Sequence, residues 1–168
     1  MKKLPAHGPC FVCGSEDEPE MGVIWYVLED GSIFSQAMFN HVQKGHPGFG
    51  QGGASAALLD EAMGMAILLA GYRVAPVNLN INYHKPVLFG QSFAVMAQVK
   101  EAYGKKITAS GEIRLLNGTL AVSGEGIFVQ APQWFQVVEA GVGITPSTER
   151  KSWSEEMSGE EKIFWRLN

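Results

Sequence analysis

The chain is short of charge, of long apolar runs and of cysteine. Only 18% of its 168 residues are Asp, Glu, Lys or Arg, against 46% hydrophobic. A surface poor in charge predicts that part of it is covered by another subunit. The net charge of -4 lacks the basic excess that general nucleic-acid binding needs. The longest apolar run, near Ala62 to Ala70, falls short of the roughly 20 residues a membrane span requires. Met1-Lys2-Lys3 leads into Pro5, His7 and Gly8 rather than an apolar stretch, so no secretory signal is read there and a reducing, cytoplasmic setting is expected. Cys10 and Cys13 are the only cysteines and form one C-x-x-C. A tetrahedral metal site needs four ligands, and His41 and His46, at H-x4-H spacing, would have to converge on the pair to complete one. The expectation is a tight turn with two small, soft side chains packed on a sheet, holding no metal. A redox pair would call for a thioredoxin-like βαβ pattern, which does not surround it.

What is present is a glycine-rich loop that runs into an apolar helix. Gly48-Phe49-Gly50-Gln51-Gly52-Gly53 leads straight into Ala54-Ser55-Ala56-Ala57-Leu58-Leu59-Asp60-Glu61-Ala62-Met63-Gly64. A carboxylate among Ala, Leu and Met is costly to bury without partners. Asp60 and Glu61 are neighbours and point about 100° apart, so only one faces a given cleft. Periodicity alone does not choose between them. The glycines leave N–H groups free at the helix start, where the dipole favours developing negative charge. Gly53 lies two turns before Asp60, on the same face. Exposed donors and a positioned carboxylate are two of the parts that acyl-group chemistry needs.

Around this unit the pattern is one of strands. Val23 to Glu29 and Ile33 to Phe39 read as strands about an Asp30-Gly31-Ser32 turn. The helix is predicted from Gly52 to about Ala70, ended by Gly71. Val77 to Tyr83 alternates, with Asn78, Asn80 and Asn82 on one face. Ser92 to Ala102, Lys105 to Leu116 and Thr119 to Gln130 follow, joined by a Tyr103-Gly104 turn and by Asn117-Gly118, read as type I′. Two strands, one long helix and four strands make an α+β layer arrangement. Gly64 costs about 1 kcal/mol inside a helix, and close helix–sheet contact is its expected use. Residues 1–131 are read as one domain. Residues 132–168, turn-rich with Trp134, Trp153 and Trp165, are read as a C-terminal appendage packed on the core or on a neighbouring subunit.

Gly52-Gly53, followed seven residues later by Asp60, resembles the hot-dog-fold acyl-CoA thioesterases of the phenylacetate-pathway type. That family reads His-Gly-Gly, an apolar run, then Leu-Leu-Asp-Glu-Ala-Met-Gly. Leu58 to Gly64 matches, and Gln51 stands where the His is expected. Cys10 to Gly14, Asn80 to Val87 with Gly90, Gly104 to Lys106, Asn117-Gly118 and Gly124 to Val129 are also similar to the family, in order. The resemblance implies a curved antiparallel sheet wrapped around a central helix, and a homodimer or dimer of dimers. It implies Asp60 as the catalytic acid, Gly53 N–H as oxyanion donor, and Gln51 fixing the carbonyl or the loop. Asn80 or Asn82 would touch the acyl group from the opposite subunit. Arg73, Lys85, Lys105 and Lys106 are candidates for the phosphates of coenzyme A, which enters as part of the substrate; no other cofactor is implied.

Two other readings stay open at this level. Gly45-His46-Pro47-Gly48 resembles the loop of hot-dog hydroxyacyl-thioester dehydratases, which would pair His46 with Asp60. Gln cannot exchange protons as His does, so Gln51 also admits a non-catalytic acyl-thioester binder.

Overall fold

A computed structural model describes residues 1–4, 10–14 and 21–133. The predicted appendage lies outside the described residues from position 134 onward. The elements are β1 (Lys2–Lys3), β2 (Tyr26–Val27), β3 (Ile33–Met38), α1 (Gly52–Leu69), β4 (Val74–Tyr83), β5 (Ser92–Tyr103), β6 (Lys106–Leu115) and β7 (Leu120–Gln130). They form a seven-stranded sheet in the order β1-β2-β3-β5-β6-β7-β4, with every pairing antiparallel. The seventh strand is β1, which the residue pattern did not predict. It pairs Lys2 with Val27 and Lys3 with Tyr26, and two lysines carry no strand periodicity.

Period-two alternation aims one face of the sheet at α1. Phe93, Val95 and Ala97 on β5, Ile107, Ala109 and Ile113 on β6, and Val122 and Phe128 on β7 are buried. From the helix, Leu58, Leu59, Ala62, Met63 and Ile67 are fully buried. By length and composition α1 would also suit a bilayer, but over half of it is buried inside the molecule, as in a core helix.

The close approach of helix to sheet is made by strand glycines. A Cβ on Gly111 would lie 3.1 Å from Leu59 Cδ2, and one on Gly124 would lie 2.8 Å from Ile81 Cδ1 and 3.3 Å from Leu59 Cδ1. The expectation for Gly64 is therefore corrected: a Cβ there meets nothing within 4 Å. The helix ends in a Schellman motif. Gly71 at φ +91° donates to Leu68 O at 2.9 Å, and Tyr72 donates to Ile67 O at 3.2 Å. The type I′ reading of Asn117-Gly118 is corrected as well. Gly118 has φ +84°, whereas no non-glycine residue among those described has positive φ. The turn closes with Gly118 N–H on Leu115 O and Leu115 N–H on Thr119 O, the pattern of a type I turn followed by a left-handed glycine. Asn117 Oδ1 accepts from Thr119 N–H at 3.0 Å and holds Asn117 on the ordinary side of φ.

Candidate active site

The site begins in the loop before α1. Asn40 starts a single 3₁₀ turn, His41–Gln43, and Gln43 O accepts from Gln51 N–H at 2.8 Å. Gly50 N–H is held by Val87 O at 2.9 Å, and Gly45 N–H by Phe49 O at 2.9 Å. A side chain at Gly50 would overlap the ring of Phe39, itself buried against Phe93 with ring centroids 4.8 Å apart. The glycines are thus needed for packing, and they deliver the chain to the helix start at one angle.

Gln51 is the N-cap of α1. Its backbone is extended, and its Oε1 accepts from Ala54 N–H at 3.0 Å. This is the task a short polar side chain usually performs. The N–H groups of Gly52 and Gly53 meet no acceptor among the described residues, as the first turn of a helix requires. Both glycines are exposed. Tyr83 Oη, at the end of β4, donates to Gly52 O at 2.9 Å and pins the helix start to the sheet. Gln51→Ala is expected to lower stability by about 0.5–2 kcal/mol, the usual cost of losing an N-cap, and Gln51→Asn or Gln51→Ser should restore most of it. Urea unfolding checks this. A Gln51→Ala protein as stable as the parent would show that the cap contributes nothing.

Two turns further on, the two carboxylates part company. Glu61 faces the N-terminal turn, with Oε1 3.9 Å from Cys13 Sγ. Asp60 is half-buried, and its Oδ1 is fully buried with no hydrogen-bond partner among the described residues. Loss of hydration, and secondarily the neighbouring Glu61 charge, push the Asp60 carboxyl above its ordinary value of 3.8. Gln43 Nε2 is the other buried side-chain atom without a partner among the described residues. Such atoms cost about 1–3 kcal/mol each when buried unpaired, and they cluster where ligand or water must be held. Sequence reading missed Gln43, since nothing in its neighbours marks it as buried.

A cavity of about 230 Å³ opens beside the helix start, between Gly50, Gly52, Ser55, Tyr83, Lys85 and Val122. Lys85 thus lines the same cavity as the glycine loop. His84, also on its wall, shares a 2.8 Å hydrogen bond with Ser123 Oγ, a pair the sequence did not announce. The other predicted cations do not join Lys85. Arg73 precedes β4, while Lys105 and Lys106 sit at the turn whose backbone meets Gln130. The length of β4, about 30 Å, separates that end from Lys85. Asn80 and Asn82 are exposed on β4 and bonded to each other, Asn82 Nδ2 to Asn80 Oδ1 at 3.3 Å. His46 is exposed on the loop, its ring 6.4 Å from that of Phe49.

Residues 49–122 match the model of the family described as Thioesterase superfamily. Acyl-coenzyme A thioesterase THEM4 of Rattus norvegicus is 32% identical over 118 residues, 61% of this chain and 51% of that one. The chain thus spans about half the length of the curated relatives it matches. Among solved structures, a thioesterase superfamily protein superposes with TM-score 0.64 at 33% identity, covering 67% of this chain and 60% of its own. A phenylacetic acid degradation-related protein from Ralstonia eutropha JMP134 shares the fold with TM-score 0.59 at 20% identity, covering 65% and 85%. The curved antiparallel sheet with its one long helix is the hot-dog fold. These similarities point to the same superfamily as the resemblance read from the sequence, and the fold it implied is the one observed.

Proposed function

We propose that this chain is an acyl-CoA thioesterase whose working form is a two-fold assembly with Asp60 as its catalytic carboxylate. The observation that carries this reading is Asp60 itself, a half-buried carboxylate on an apolar helix with one oxygen fully buried and without a hydrogen-bond partner among the described residues. Its raised pKa suits a general base better than that of a solvated Asp, because a stronger base takes a proton more readily near neutral pH. Asp60 takes a proton from water as the water oxygen attacks the thioester carbonyl, or attacks the carbonyl itself. The Gly53 N–H stabilises the oxyanion that forms. On the water route, collapse of the tetrahedral species breaks the C–S bond and the leaving thiolate takes up the proton from Asp60, giving free acid and coenzyme A. On the direct route, collapse leaves an anhydride between the acyl group and Asp60, which water then hydrolyses to free acid while the thiolate takes up a proton from that water. Gln51 is a positioning residue: its hold on Ala54 N–H fixes the turn that presents Gly53. Lys85, by the cavity, is the first candidate for the phosphates of coenzyme A, with Arg73, Lys105 and Lys106 reserved for a substrate lying across a second copy. Beyond its coenzyme A, the substrate needs no cofactor for these steps.

Two features support the assembly. β4 is an edge strand of ten residues, and Val77 and Tyr83 on it are each 56% exposed. A long exposed edge is a site for pairing with another strand. Within one chain, Gly53 and Asp60 are also separated by a helix rise of about 10 Å, wide for two groups that serve one carbonyl. Two helices crossing antiparallel about a two-fold axis would bring Asp60 of one copy toward Gly53 of the other.

A panel of acyl-CoA thioesters, read by release of free thiol, tests the activity. At least one acyl group should reach a kcat/KM of about 10⁴ M⁻¹s⁻¹ or more, the lower end for natural substrates. Thiol release at the buffer rate across the panel, together with tight binding of the same thioesters, would replace this reading with that of an acyl-thioester binder.

A further inference from the structure

We propose that Cys10, Cys13 and Glu61 bind a zinc-class divalent cation that clips the N-terminal turn to the central helix. The ligand atoms of these three side chains all lie within 4.8 Å of one another. Donors about 2.0–2.3 Å from a tetrahedral ion stand roughly 3.5–3.8 Å apart. The 3.9 Å between Cys13 Sγ and Glu61 Oε1 is close to that spacing. It is long for a thiol hydrogen bond, so the cation accounts for it better.

The turn around the thiols has the form such a site needs. Cys13 N–H points at Cys10 Sγ, at 3.1 Å. Gly14, at φ +72°, closes the turn with its N–H on Cys10 O at 2.8 Å. An amide aimed at a sulfur stabilises the thiolate, the form that binds metal. The indole N–H of Trp25 also donates to Cys13 Sγ, at 3.3 Å, and Trp25 is only 3% exposed. A donor fixed by burial and aimed at a ligand atom is what orients and tunes a metal ligand from outside. The two cysteines are not joined in a disulfide, and both pack against the hydrophobic core.

The chemistry of the donor set selects the ion. Two thiolates favour zinc over calcium or magnesium, which take oxygen ligands, and a carboxylate is an ordinary zinc ligand. Among the described residues the protein supplies three of the four ligands of a tetrahedral site. The sequence expectation of no metal rested on a lone C-x-x-C short of two donors. The fold brings in one of them from 48 residues downstream, which spacing does not reveal, and leaves His41 and His46 exposed and outside the group. Glu61 directly follows Asp60, so the ion would anchor the turn of α1 that carries the catalytic carboxylate.

The test is metal content, which is independent of turnover. Full-length protein purified without chelator should carry about one zinc per chain, and chelation should lower its melting temperature. Cobalt exchanged for zinc should give a thiolate-to-cobalt charge-transfer band that Cys13→Ser weakens. Glu61→Gln keeps both thiols and the fold, and should weaken zinc affinity by roughly tenfold or more in competition with a chelator. Asp60→Asn should keep its zinc. Less than about a tenth of an equivalent after zinc supplementation, with no charge-transfer band, would overturn the site. So would unchanged zinc affinity in Glu61→Gln, or a Cys10–Cys13 disulfide in protein trapped under thiol-blocking conditions.

Discussion

Asp60→Asn is expected to lose more than about a hundredfold in kcat, the scale on which a general base contributes. The amide keeps the shape and size of the side chain and removes its basicity. The acid limb of the wild-type kcat profile should fall with the protonation of Asp60, at a pH above the ordinary Asp range because burial raises that carboxyl. The same burial predicts a gain in stability. Below the ordinary value of 3.8, the carboxyl is protonated in folded and unfolded chains alike and carries no charge penalty. As pH rises through the raised folded value, the native state must hold an ionised, partly dehydrated carboxylate and loses stability relative to the unfolded chain. Asn is spared this, so the variant should melt a few degrees above the parent at neutral pH, and the difference should shrink in acid. An inactive variant that melts lower at neutral pH would mean that Asp60 holds the fold together. Near wild-type hydrolysis would remove Asp60 from the chemistry altogether.

Much of this was legible because it is local. The helix was expected from Gly52 to about Ala70 and runs from Gly52 to Leu69. The glycine loop supplies its start and Gly71 its stop. The alternation of Val77 to Tyr83 placed β4, although its first three residues, Val74, Ala75 and Pro76, show no alternation and were missed. The type I′ reading failed because an Asn side chain can hold its own turn, by bonding two residues on, without entering the left-handed region.

What stayed hidden depends on pairing between distant segments. That Gln51 caps the helix requires the loop to arrive extended, and this is set by Gln43 and Val87 through backbone bonds that no residue type advertises. Gly64 looked like the contact point because a helical glycine is costly, yet the glycines that matter lie across the sheet on β6 and β7. Asp60 and Glu61 could not be told apart by period. They separate once Glu61 is seen turned to Cys13 and Asp60 left with a buried oxygen that has no partner among the described residues. Arg73, Lys85, Lys105 and Lys106 were each candidates for a phosphate, and the length of β4 places Lys85 at one end and the other three at the other.

Mixing two inactive variants should restore hydrolysis if the site is shared between copies. Gly53→Pro removes the proposed oxyanion donor. Proline is tolerated in the first turn of a helix, where its missing N–H has no intrahelical partner. The loss should be about 10²–10³-fold in kcat, as for other single oxyanion donors. A Cβ at position 53 would lie 2.7 Å from Gln51 Oε1, so the capping side chain must shift to admit the proline. A melting curve and light scattering on the variant establish that it folds and assembles. Denatured Gly53→Pro and Asp60→Asn chains are then mixed in equal amounts and refolded together. Half of the two-fold dimers formed are mixed. In each mixed dimer one site combines both defects, and the other combines an intact Gly53 with an intact Asp60 from the two copies. About a quarter of wild-type activity should therefore return, against about a hundredth or less for either variant alone. If each site drew both groups from one chain, every site in the mixture would carry one defect and nothing would return. The experiment also reads the assembly, because a protein that light scattering shows only as an 18.2 kDa monomer has no second copy with which to share a site.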